Sequence, residues 1–157
     1  NSEILAENRM GYLKNYYVGG NPQTALSGGI KYNAPKYWWI GVDFNYFDDI
    51  YLEPNPDRRS EAAAGIYNSE DLRFEQLLAQ ERLSSAYTID LFGGKSWRVK
   101  KYYIVFNLSI NNLLNVTDFA FGGFDQFRFD PNNIDKFPPK YFYLYGTQYF
   151  ANLSLRF

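Results

Sequence analysis

The 157-residue chain contains no cysteine and no histidine. The first absence excludes disulfides, thiolate metal sites and cysteine nucleophiles, and the second removes imidazole ligands and every histidine-based triad. An enzyme built on this chain would work without the commonest general base, and no pair of acids stands in a convincing catalytic arrangement, so neither an enzyme nor a cofactor is expected. Apolar runs approaching ~18 residues are also lacking, which excludes a transmembrane helix. The mean hydropathy is -0.43, a value that a membrane β-barrel also gives, because alternation averages its hydropathy away. A net charge of -1 provides no electrostatic footprint for nucleic acid. The opening segment, Asn1 to Glu7, has no initiator Met, basic region or apolar region, so any export signal is expected upstream of it.

Aromatic residues, by contrast, are abundant: they make up 20% of the chain, with 15 Tyr and 14 Phe. That excess suits interfaces and membrane girdles better than an ordinary core. The seventeen residues from Tyr141 to Phe157 show where it leads. Every second residue back from the end gives Phe157, Leu155, Leu153, Ala151, Tyr149, Thr147, Tyr145, Tyr143 and Tyr141, a mostly apolar face with aromatics at both ends. The residues between them, Arg156, Ser154, Asn152, Phe150, Gln148 and Gly146, are mostly polar. Read as one strand, this is about three times the usual five or six residues. A tilted membrane-crossing strand needs roughly 9 to 11 residues, with an apolar outer band between aromatic girdles and a polar lumen face.

Four further segments alternate in the same way. Thr24 to Asn33 runs to a turn at Ala34-Pro35-Lys36, and Tyr37 to Tyr46 follows. Tyr87 to Phe92 precedes Gly93-Gly94-Lys95-Ser96, read as a second tight turn, and Tyr102 to Asn111 comes after it. Polar connections of about thirty residues, near 53–84 and 114–140, alternate with these turns, an arrangement rare in compact soluble domains and normal for outer-membrane barrels. The first connection carries seven acids and four bases, a mildly acidic surface. It is expected to hold a helix capped by Asn68 or Ser69 and ending near Arg82. The expected fold class is therefore all-β: an antiparallel transmembrane barrel segment of about five strands with long outer loops, treated as one partial domain over residues 1–157. Five strands cannot close a membrane barrel, since the smallest have about eight, so the rest of the barrel is expected elsewhere.

On this register Asp43, Asn45, Asp90, Asn107, Ser109, Asn111, Gln148, Asn152 and Arg156 face the lumen, where they can hydrogen-bond a plug or a passing solute. Other clusters read more simply as turn chemistry. Asp130-Pro-Asn-Asn-Ile-Asp135 lacks the sixth-position Gly and distal Glu of a helix-loop-helix calcium loop, and Asp48-Asp49 and Glu70-Asp71 fit solvated turns, so no metal site is expected. Asn107-Leu-Ser, Asn115-Val-Thr and Asn152-Leu-Ser match a glycosylation acceptor pattern by chance, two of them inside strands.

A resemblance sharpens these expectations. Lys14-Asn-Tyr-Tyr-Val-Gly-Gly-Asn-Pro-Gln23, Tyr37-Trp-Trp-Ile-Gly-Val42, Asn45-Tyr-Phe-Asp-Asp-Ile-Tyr-Leu-Glu-Pro-Asn-Pro56, Asn111-Asn-Leu-Leu-Asn115, Gly122-Gly-Phe-Asp-Gln126 and Phe137-Pro-Pro-Lys-Tyr-Phe-Tyr-Leu-Tyr-Gly146, followed by the strand ending in Phe157, occur in that order. Together they resemble the carboxyl end of Bacteroidetes-type TonB-dependent outer-membrane receptors, in the version with a carboxypeptidase-regulatory-like amino-terminal domain. The resemblance implies active solute import through a barrel of about 22 strands closed by a plug, the plug and about seventeen strands lying outside this sequence. It implies the outer membrane of a Gram-negative bacterium as location. Its implied partners are the lipid bilayer, the remaining barrel and plug, the inner-membrane TonB complex through that plug, and a surface lipoprotein at the outer loops. It also implies that Tyr149, Leu153, Leu155 and Phe157 form the signal read by the barrel-assembly machinery through strand addition. Two rival readings remain: an outer-membrane barrel of structural or assembly role without a transported solute, and a soluble β-sandwich that binds carbohydrate on Trp38, Trp39 and the tyrosines.

Overall fold

The computed structural model describes residues 10–130 and 132–157; the opening segment with its expected lack of an export signal lies outside them. In chain order the elements are β1 (Pro22–Ala34), β2 (Trp38–Tyr51), α1 (Glu61–Ala64), α2 (Leu72–Leu78), β3 (Arg82–Leu83), β4 (Ala86–Val99), β5 (Tyr102–Asn111), β6 (Ala120–Phe124), β7 (Lys140–Tyr143) and β8 (Gln148–Arg156). The chain divides into two compact units. One takes the residues up to Asn21 with Ile50–Leu83 and Ala120–Phe142; the other takes Pro22–Asp49, Ser84–Phe119 and Tyr143–Phe157.

The second unit is a sheet in the order β1-β2-β4-β5-β8, with antiparallel pairing of β2 to β4, β4 to β5 and β5 to β8. Its path is open, ending at β1 and β8. All five expected strands are present, and the register keeps their parities together: Val42 lies opposite Leu91, Leu91 opposite Ile110, and Ile110 opposite Tyr149. The turn after β1 falls where the sequence places it, and Lys36 and Tyr37 take positive φ of 66° and 62° to make it.

Two expectations are corrected. Gly93-Gly94-Lys95-Ser96 is no turn but the middle of β4, with Gly94 paired to Trp39 on one side and Asn107 on the other. A Cβ on Gly94 would stand 2.6 Å from Asn107 Oδ1 and 2.8 Å from Trp39 Nε1, so the glycine leaves room for its neighbours' side chains rather than reversing the chain. The reversal comes at Lys100-Lys101, with Val99 paired to Tyr102 across it and Lys100 at φ 56°. The seventeen residues from Tyr141 also do not form one strand. Lys140–Tyr143 pairs with β6, and only Gln148–Arg156 joins β5. Between them the backbone finds other partners: Leu144 N donates to Phe119 O, and Thr147 gives its N–H to Asn115 Oδ1 and its hydroxyl to Asn112 O.

The first unit shows that the long connections are not structureless. Its core is Ile50, Leu52, Ala63, Ala64, Tyr67, Leu77 and Leu83, all buried. Ser60 caps α1 by accepting from Ala63 N, and Asp71 caps α2 by accepting from Arg73 N. The expected helix is thus shorter than the sequence suggests and starts later, because Asp71 rather than Asn68 or Ser69 satisfies its first free N–H. Arg59, 2% exposed, ties the unit together. It donates to Asp125 Oδ2 at 2.6 Å, Asn55 O at 3.2 Å, Ala79 O at 2.8 Å and Tyr16 Oη at 3.0 Å. Tyr16 in turn donates to the Leu78 carbonyl. The segment before β1 is held by Tyr17 stacked on Tyr51 at 4.3 Å and by a two-way exchange between Tyr17 and the Gln80 amide.

A two-residue reversal with φ positive at its first position favours glycine there. Replacing Lys100 with Gly should therefore raise the free energy of unfolding by up to about 1 kcal/mol in a denaturant titration, and a loss of stability would mean that the Lys100 side chain itself holds the turn.

Candidate functional site

Directly opposed residues in an antiparallel sheet point to the same face. The pairings Asp43 with Asp90, Asn107 with Asn152, Ser109 with Phe150, Asn111 with Gln148 and Tyr103 with Arg156 place all nine lumen-face candidates on one face of the second unit. The structure does not spread them evenly. A cleft of about 350 Å³ brings Asn45, Asp90, Asn111 and Gln148 together. Asp43, Asn107, Ser109, Asn152 and Arg156 stand on the same face outside it. Phe92 and Phe150 flank Ser109 in one cross-strand row and interrupt the polar surface there.

The cleft also holds Phe47, Thr88, Asn112, Leu144, Gly146 and Tyr145; Tyr145, expected on the apolar face, lines the cleft instead, because residues 144–147 lie outside both β7 and β8 and do not keep a strand's alternation. Asn112 organises it. This residue is 5% exposed, sits at φ 52°, and follows β5 directly. Its amide donates to Val116 O and Tyr145 O, both at 2.9 Å, while its Oδ1 accepts from Val116 N at 3.0 Å. Its backbone N–H donates to Asp90 Oδ1 at 2.8 Å. The signal in the sequence is the Asn-Asn pair at the end of an alternating run, since Asn tolerates left-handed backbone and bonds locally.

Each oxygen of Asp90 thereby accepts one bond: Oδ1 takes the Asn112 N–H and Oδ2 takes the Asn45 amide at 2.9 Å. Asn45 passes the network on, donating also to Thr88 Oγ1 at 3.3 Å and accepting from Ser27 Oγ at 2.8 Å. Asp43, the like charge directly opposite, leans instead over Gly29, where a Cβ would stand 1.8 Å from its Oδ1. The missing side chain of Gly29 leaves the space that the Asp43 carboxylate occupies, on the side of β2 away from β4. Chemically the cleft offers amides, a hydroxyl, one neutral-hydrogen-bonded carboxylate and the exposed Tyr145 ring, a set that hydrogen-bonds a polar molecule.

The opposite face is apolar and uncovered. Tyr149 is 73% exposed, Leu153 70%, Leu155 57% and Phe157 93%. Trp38, Ile40, Val42, Phe44, Tyr87, Trp97 and Leu108 are exposed with them, and Phe119 is the one buried hydrophobic residue among the described residues of this unit. Aromatic pairs sit at both ends of the face, Tyr32 against Trp38 at 5.8 Å and Phe44 against Tyr87 at 5.7 Å.

No three acidic side chains gather to hold a metal ion among the described residues. The Asp130–Asp135 segment, whose Pro131 lies outside them, is a turn clipped by Lys136, which donates to Asp130 Oδ2 at 2.6 Å while Asn132 N donates to Oδ1. The Lys136 ammonium, with the Asn132 N–H, holds the Asp130 carboxyl below its ordinary range. Asn107 and Asn152 lie within β5 and β8, and Asn115 Oδ1 is engaged by Thr147 N.

Because Asn112 satisfies two carbonyls and one N–H around the cleft, Asn112→Ala should lower unfolding stability by about 1–3 kcal/mol or more and raise hydrogen exchange at Val116; unchanged exchange would mean that the network is replaced by water. No family model matches the chain, and neither a curated protein nor a solved structure matches it.

Proposed function

We propose that this chain supplies wall, lumen lining and outer loops to the barrel of a TonB-dependent outer-membrane receptor that imports a solute. One observation carries the reading: the sheet of the second unit keeps one continuous apolar face uncovered and opposes it with a face of amides and carboxylates. A soluble sandwich would bury such a face against a second sheet ~10 Å away. Lipid covers it without any further protein, and the polar face then lines the lumen.

Strand length supports the same reading. β1, β2 and β4 have 13, 14 and 14 residues, and β5 and β8 have 10 and 9. At ~3.3 Å per residue, fourteen residues tilted near 45° rise about 33 Å along the normal, enough for a hydrocarbon core of ~30 Å. The aromatic pairs at the two ends of the apolar face take the positions of interfacial girdles. The open edges at β1 and β8 suit continuation of the wall, since unpaired strand edges are not tolerated in lipid. A plug and TonB-contact segment encoded upstream would favour import over a purely structural barrel.

The two faces give the test. Leu153→Arg should cost about 2–4 kcal/mol of folding stability in lipid vesicles, measured by denaturant titration, while Ser109→Arg on the other face should cost far less. Equal losses at the two positions would sink the reading. In the assembled receptor, deleting Phe157 should lower the outer-membrane level by weakening strand addition to the barrel-assembly machinery; unchanged abundance on membrane fractionation would remove that role from Tyr149, Leu153, Leu155 and Phe157.

A further inference from the structure

The bases of the second unit gather at one end of its sheet. Lys36 sits in the turn after β1, Lys100 and Lys101 form the turn after β4, and Arg156 ends β8. The others lie close to these: Lys31 near the end of β1, Lys95 opposite Trp38 at the start of β2, and Arg98 opposite Tyr103. The acids of the unit stand elsewhere. Asp43 and Asp90 face each other in mid-sheet, Asp48 and Asp49 lie near the far end of β2, and Asp118 follows β5. Charges separated along the strands in this way give the sheet a cationic end that attracts anions.

One of these bases has apolar surroundings. Lys95 is the charged residue lining a notch of about 210 Å³ walled by Ile40, Leu91, Phe106, Leu108 and Ile110. The notch exists because Gly93, in the cross-strand row between Ile40 and Leu108, presents no side chain. Lys95 follows on the same face between Trp38 and Phe106, and its Nζ lies 5.4 Å from the ring centroid of Trp97. Trp97 is nearer the turn, so the lysine stem runs along the apolar face and carries the ammonium toward the cationic end. No acid pairs with it among the described residues.

An occupant of this place must offer methylenes to the notch and an anion to Lys95. A soluble anion would leave the notch open, and a neutral lipid would leave the ammonium without a counter-charge. An anionic phospholipid supplies both. Trp38 and Trp97, each 41% exposed, stand where indole rings sit at the level of lipid headgroups.

We propose that the Gly93 notch and Lys95 form a binding site for an anionic phospholipid, part of an acyl chain lying along Ile40, Gly93 and Leu108 and the phosphate meeting the Lys95 ammonium. The exposed Lys36, Lys100 and Lys101 of the two turns add attraction from the headgroup layer. Such a site rests on the reading that lipid covers this face, and adds to it a choice of lipid and a place.

Trp38 and Trp97 flank Lys95 and make the test direct, since bromine on an acyl chain quenches a nearby indole. The full chain is reconstituted in phosphatidylcholine vesicles with rising fractions of dibrominated phosphatidylglycerol or, in parallel, dibrominated phosphatidylcholine. Half-maximal quenching is expected at a fraction about fivefold lower for the glycerol lipid, and Lys95→Gln should bring the two curves together while Lys95→Arg keeps them apart. Lys31→Gln should leave the difference intact, because Lys31 lies on the opposite face with its Nζ 4.3 Å from the Trp39 centroid. Coincident curves in the native chain, a comparison that needs no variant, overturn the lipid site and leave the barrel-wall reading standing. A difference that survives Lys95→Gln also overturns it, assigning the preference to the charge of the whole sheet end. Quenching by neither lipid removes the barrel-wall reading and the lipid site together.

Discussion

Cross-strand register is the constraint on which the second unit depends. Side chains alternate with a period of two, so a slip of one residue in any pairing would exchange the faces of the strand that slipped. Odd residues of β2 and β5 and even residues of β4 and β8 must therefore stay in step, and the pairings Asp43 to Asp90 and Asn107 to Asn152 show that they do. Fixed in this way, a sheet without a core of its own still has two chemically distinct surfaces. One suits lipid or another apolar medium, and the other concentrates amides around Asp90.

The first unit solves a different problem. Its segments come from three separated parts of the chain and contribute little regular structure, so their backbone groups need side-chain partners. Arg59 supplies them, joining the stretches around Asn55, Ala79, Asp125 and Tyr16 through one guanidinium. A planar donor fork can satisfy acceptors in several directions at once, which a lysine ammonium in the same place would do less completely. Desolvating the pair offsets much of its attraction, so the burial of this ion pair is weak evidence for net stability.

Much of this was legible in the sequence because alternation is a local signal. The five strands, the shared parity of the nine polar candidates and the turn after β1 all follow from it. Three features did not, each for a physical reason. Gly93-Gly94 resembles a turn when only backbone freedom is considered, whereas here the missing side chains make room for Trp39 and Asn107, which are distant in sequence. Alternation continues unbroken through Tyr141–Phe157, but Asn115 Oδ1 takes the Thr147 N–H and the Asn112 carbonyl takes the Thr147 hydroxyl, so the strand is broken from outside it. Charge count gives no hint that Arg59, and not the neighbouring Arg58, meets Asp125, since the two residues are 66 positions apart in sequence.

The two kinds of connection in the sheet carry unequal entropic costs. Pairing β4 with β5 closes only Lys100 and Lys101, and pairing β1 with β2 closes a turn of similar size. Pairing β8 with β5 must first draw together the ends of the segment 112–147. With a cost growing as (3/2)RT ln n, closing that segment takes roughly 3 kcal/mol against about 0.6 for the two-residue turn, before any contact rewards it. Joining β4 to β2 across the segment 52–85 costs about the same, so the two long-range pairings of the sheet, and not its hairpins, carry the search.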